Sequence, residues 1–86
     1  MSTLKQLLIA EFNLIQEIYR LNENELYVFR DLITLRKNYL KAETRLERRS
    51  LSEQIIQAKN LASARTLACY YKTNVITKAL DMAFPK

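Results

Sequence analysis

Residues 3–48 read TLKQLLIAEFNLIQEIYRLNENELYVFRDLITLRKNYLKAETRLER, and how that stretch is parsed decides the fold. Leu4, Leu7, Leu14, Ile18, Leu21, Val28, Leu32, Leu35, Tyr39, Ala42 and Leu46 occupy one a/d heptad register. Glu11 and Glu25 are its only charged interruptions before Arg49. Leu8, Ile15 and Phe29 widen the stripe beyond a coiled-coil seam, toward the broader face of a bundle helix. One feature argues for a corner. Asn22 followed by Glu25 has the form of a capping box, and Leu21 with Leu26 fits the hydrophobic staple that accompanies one. The apolar register nevertheless passes Asn22 without a phase shift. Two parses follow: one helix from Thr3 to about Arg48, or two helices meeting near Asn22.

Beyond this stretch, Ser50-Leu51-Ser52-Glu53 also has the form of a capping box, with Ser50 as N-cap and Glu53 at N3. Arg48 and Arg49 suit the negative end of a preceding helix dipole. A last helix is expected from about Leu51 to Ala83, with an irregularity at Thr73-Asn74 and Pro85 just beyond its stop. At 100° per residue it carries two apolar faces. One holds Leu51, Ile55, Ala58, Ala62, Cys69, Ile76 and Leu80; the other holds Leu61, Ala64, Ala68, Tyr71, Val75, Ala79 and Met82. Only 7 of the 36 residues from Leu51 on are charged, against 16 of the 50 before them, so this helix is expected to be covered from two sides.

Composition supports an all-α reading. Among 86 residues there is no Gly, and the one Pro is Pro85, so the Gly-dependent turns of β-hairpins have no residues to form them. The expected fold is an antiparallel helical hairpin, with a long first helix and a second helix from about residue 51. A break near Asn22 makes it a three-helix bundle instead. Either way residues 1–86 form a single helical domain. A chain this short buries only about 60–65% of its unfolded surface. The usual remedies are a disulfide, a metal or an oligomeric partner. A lone Cys69 and the lack of His remove the first two, which leaves self-association or another protein. No apolar run approaches the roughly 18 residues that a membrane span needs. The N-terminus has no signal-peptide h-region, so a cytoplasmic location is expected, where a free thiol stays reduced.

Chemistry is scarce. Without His there is no Ser-His or Cys-His pair, and without Gly no phosphate-cradling loop, so no catalytic, cofactor-binding or metal site is expected. Cys69, among Ala68, Tyr70 and Tyr71, reads as a small buried hydrophobe. Glu43 and Glu47, one turn apart, read as counter-charges to nearby cations.

Two surfaces stand out. Leu61, Ala64, Ala68, Tyr71, Val75 and Met82 are the expected protein interface, contributed by the last helix. On a continuous first helix, Arg30, Lys37, Lys41, Arg45 and Arg48 share an arc of about 80°. Such a ridge could track phosphates, or it could simply be a solvated outer face of a chain with net charge +5. Five tyrosines suit interface and core equally. The expected role is thus a non-enzymatic interaction module: an adaptor, regulator or small chaperone-like subunit that oligomerises or docks through the last helix. The alternative is a nucleic-acid-binding regulator using the basic ridge. Far-UV circular dichroism should report at least about 75% helix, against the third or so typical of globular proteins. Substantial strand content would contradict the all-α reading.

Overall fold

In a computed structural model that describes residues 3–84, the chain forms four α-helices. They are α1 (Thr3–Tyr19), α2 (Glu23–Lys41), α3 (Arg45–Leu61) and α4 (Ala64–Ala83), with no strand among the described residues. The fold is all-α, but neither the hairpin nor the three-helix bundle describes it. Three corners are present where the sequence suggested one or two.

The corner at Asn22 is real. The last turn of α1 tightens, with the Arg20 and Leu21 N–H groups donating to the Glu17 and Ile18 carbonyls at 3.1 Å. Asn22 then adopts extended backbone and caps α2 reciprocally. The Glu25 N–H donates to Asn22 Oδ1 at 2.8 Å, and the Asn22 N–H donates to Glu25 Oε1 at 3.0 Å. The second corner falls at Ala42–Thr44 and not at Ser50. Thr44 is the N-cap of α3, its hydroxyl accepting from the Glu47 N–H at 3.1 Å, while Ser50 lies inside that helix. Helix length explains the choice. Breaking at Thr44 gives helices of 19 and 17 residues that can lie side by side along their full lengths. A helix carried on to Arg49 would extend about 40 Å, with its end unpartnered.

The third corner, at Ala62–Ser63, splits the expected last helix. Ser63 is extended and its hydroxyl accepts from the Thr66 N–H at 3.1 Å. No irregularity appears at Thr73–Asn74. The Thr73 hydroxyl donates back to the Cys69 carbonyl at 2.7 Å, a bond that a helix interior accommodates.

Helix α4 packs against both α1 and α2, and α2 also packs against α3, so the order across the molecule is α1, α4, α2, α3. The result is a slab. Its principal dimensions are 42 × 33 × 14 Å, little thicker than one helix with its side chains. The radius of gyration is 14.2 Å, where a compact domain of this length has about 12 Å. Accessible surface is 6950 Å², where a compact protein of this mass exposes about 5300 Å². The core is correspondingly small: Leu14, Leu21, Phe29, Leu32, Ala58, Cys69 and Tyr70, with the hydroxyl-bearing Thr66 buried among them.

Cap substitutions test these corners. Asn22→Ala, Thr44→Ala and Ser63→Ala should each cost about 0.5–2 kcal/mol, a loss of several degrees in Tm. Ser50→Ala, inside α3, should stay within about 0.5 kcal/mol of the parent. A Ser50 effect as large as that of Thr44 would return the corner to the place the sequence suggested.

Candidate interaction surface

The third corner is docked onto the first. Glu25 Oε2 accepts from the Ser63 hydroxyl at 2.6 Å, and Glu25 Oε1 meets Arg65 Nη2 at 2.8 Å. The Ser63 hydroxyl is also 2.9 Å from that of the buried Thr66. One carboxylate therefore completes the cap of α2 and binds the start of α4. The Ser63 hydroxyl, the Asn22 N–H and the Arg65 charge all favour its ionised form and hold Glu25 below the usual carboxylate range. A second tether, Lys72 Nζ to both oxygens of Glu17 at 2.8 and 2.9 Å, joins α4 to α1. It places the end of α1 beside the first half of α4, so the two helices run antiparallel.

All six residues expected at the interface, Leu61, Ala64, Ala68, Tyr71, Val75 and Met82, are exposed. They do not share one helix: Leu61 ends α3, and the other five lie along one face of α4. The opposite face, with Cys69, Ile76 and Leu80, is turned inward. Tyr71 and Val75 line a groove with Ala10, Asn13 and Glu17 of α1. Lys59 of α3 stands 5.1 Å from the Tyr71 ring centre and 5.8 Å from that of Tyr70, within cation–π range. The tyrosines divide: Tyr70 is buried, Tyr39 is half-buried, and Tyr19, Tyr27 and Tyr71 are exposed.

A second apolar surface was not anticipated. Leu4, Leu8, Phe12, Ile15 and Tyr19 of α1 are all exposed, Phe12 by 60% and Tyr19 by 86%. Their spacing of 4, 4, 3 and 4 residues aligns them along one side of the helix. Ile15 and Tyr19 continue into a groove with Leu21 and Leu26 at the start of α2. This is a different flank from the Asn13 groove, because Asn13 and Ile15 lie about 160° apart around the helix. The signal was in the sequence. Leu8 and Ile15 widen the first stripe, and with Phe12 and Tyr19 they make a second.

The basic residues do not share one helix either. Arg30, Lys37 and Lys41 are on α2, Arg45 and Arg48 on α3, and the Ala42–Thr44 corner interrupts the arc that a continuous helix would have given. All five are exposed, and Arg48 Nε donates to the Ala42 carbonyl at 3.3 Å, so it helps to close the end of α2. Cys69 is only 3% exposed, and burial, reinforced by nearby Glu17, pushes its thiol up from its ordinary value. Among the described residues no three His, Cys, Asp or Glu side chains are grouped to hold a metal ion. No helix among them is long and apolar enough to cross a membrane. No family model, curated protein or solved structure matches the chain.

Glu25 provides a pH test. Because its pKa is lowered on folding, its contribution is present above the unfolded carboxylate value of about 4.3 and is lost as pH falls through the lower folded value. Glu25→Gln should therefore lower Tm at pH 7, and the two melting curves should converge below about pH 4. Parallel curves from pH 7 to pH 3 would show that the carboxylate does not tie the corners together.

Proposed function

We propose that the chain is a non-enzymatic interaction module, an adaptor, regulator or small chaperone-like subunit, that completes its buried surface against another protein. The observation that carries this reading is the slab. With 6950 Å² of accessible surface, it exposes about 1600 Å² more than a compact protein of its mass. Among the exposed large apolar side chains are Leu61 at the end of α3, Tyr71, Val75 and Met82 on α4, and Leu4, Leu8, Phe12, Ile15 and Tyr19 on α1, and grouped exposed apolar residues mark interaction sites. The exposed face of α4 is the docking surface in this reading. Lys78 lies within it, between Val75 and Met82, so the complementary helix is expected to carry an acidic residue opposite.

Site-specific photo-cross-linking tests this. With a benzophenone side chain at Val75 or Tyr71, irradiation in the native host should give adducts of defined mass, while the same group at exposed Asn38 should give none. No adduct from any position on the α4 face overturns the reading.

A second reading, binding to nucleic acid, draws on the net charge of +5 and on the exposure of Arg30, Lys37, Lys41 and Arg45. If it holds, changing Lys41, Arg45 and Arg48 to Gln should flatten the salt dependence of binding by up to about three units of slope. No gel retention of mixed DNA and RNA at low salt, with protein above about 100 μM, removes it.

A further inference from the structure

We propose that the α1 stripe, Leu4, Leu8, Phe12, Ile15 and Tyr19, is covered by the same stripe of a second copy of this chain, the two α1 helices lying antiparallel about a two-fold axis near Phe12. This deepens the interaction-module reading and rests on it, but it names a different surface and commits to an occupant.

Three observations select a second copy. The first is spacing. A two-fold contact requires that if residue i touches j, then j touches i. Leu4 and Tyr19 are equidistant from a midpoint between Glu11 and Phe12, and so are Leu8 and Ile15. Run antiparallel against itself, the stripe sets each Leu4 opposite a Tyr19 and each Leu8 opposite an Ile15, with the two Phe12 rings close to the axis. The stripe is thus compatible with a two-fold contact, with Phe12 offset from the axis by half a residue.

The second observation is charge. The cations that would repel a second copy are concentrated between Arg30 and Arg49 on α2 and α3. Helix α1 carries only Lys5, Glu11 and Glu17, one positive against two negative. Lys5 flanks the stripe about 20° from Phe12, and neither glutamate is in it. Glu17 is engaged with Lys72, and half-buried Glu11 leans about 100° away from Phe12. The α4 face differs, because it carries Lys78 between Val75 and Met82 and so suits a partner with an acidic residue. A second copy therefore fits α1, and a different, acidic partner fits α4.

The third is area. A standard interface removes about 800 Å² from each partner. The whole chain's excess of about 1600 Å² is of the size of two such interfaces, and the α1 stripe and the groove between α1 and α4 lie on different flanks of α1. Covering one leaves the other open. The dimer would thus present two α4 faces, one on each copy.

Sedimentation equilibrium of the full chain, across concentrations up to about 100 μM, reads the result directly. The parent should be a dimer. Phe12→Glu should raise the dimer Kd by more than about 30-fold, the effect of losing a central anchor, whereas Val75→Glu on α4 should leave it unchanged. Geometry is read separately, in a Cys69→Ala background where no other thiol is present. Under mild oxidation Phe12→Cys should form a disulfide-linked dimer and Tyr19→Cys should not, since only an antiparallel pair brings residue 12 to its own copy and keeps residue 19 away. This second measurement stands even if the charged variant fails to fold. A parent chain that is monomeric throughout overturns the inference, and so does a dimer broken by Val75→Glu but not by Phe12→Glu. The latter outcome leaves the docking role of α4 standing. Cross-linking at Tyr19 as efficient as at Phe12 overturns the antiparallel arrangement.

Discussion

Two distant reversals of the chain meet at one carboxylate. Glu25 closes the cap of α2 through Asn22 and at the same time accepts from Ser63 and pairs with Arg65 at the start of α4. Chain reversals at Asn22 and at Ser63, 41 residues apart, are thereby fixed against each other. Buried Leu21, Phe29, Thr66, Cys69 and Tyr70 lie near these two reversals in sequence. A thin slab needs such a joint. With seven buried apolar residues among those described, packing alone leaves helix orientation weakly determined, and directional, charge-assisted bonds supply what the core does not.

The same thinness connects the architecture to the proposed role. Four helices in a two-by-two bundle would hide one face of each helix in a shared core. In this thin arrangement the buried core is small, and much of the apolar surface of α1 and α4 remains exposed. The last helix has apolar residues around much of its circumference, and only part of that is spent on α1 and α2. In the proposed role, oligomerisation or docking would restore the second layer that other small helical domains contain within themselves.

The sequence made some of this legible and concealed the rest for identifiable reasons. Helical class followed from the lack of Gly and the late Pro85, and the division of residues 51–82 into an inward and an outward apolar face survives the corner at Ser63. The corners were harder. Asn22–Glu25, Thr44–Glu47 and Ser50–Glu53 share one local pattern, and nothing within four residues ranks them. What separates them is helix length, a tertiary property: Thr44 gives α3 a length that matches α2. Ser63 has no acidic residue at N3, because the carboxylate that reaches its hydroxyl comes from Glu25, far away in the chain. The heptad register through residues 4–46 was misleading because residues on one register need not face one neighbour. Leu46 is 78% exposed although it continues the seam of Leu32 and Leu35. The basic arc failed with it, since an angular argument holds only while the helix is unbroken.

The pairing of α1 with α4 has a consequence for how the chain is made. The tether between them joins residues 17 and 72, and the helix that α1 needs is made after α2 and α3. Helices α2 and α3 can form their hairpin as soon as both have emerged. At about 5–20 residues per second, α1 waits several seconds for Ala83, with the side meant for α4 and the side carrying Phe12 both open to water. The order of synthesis thus makes α1 the aggregation-sensitive element of the nascent chain.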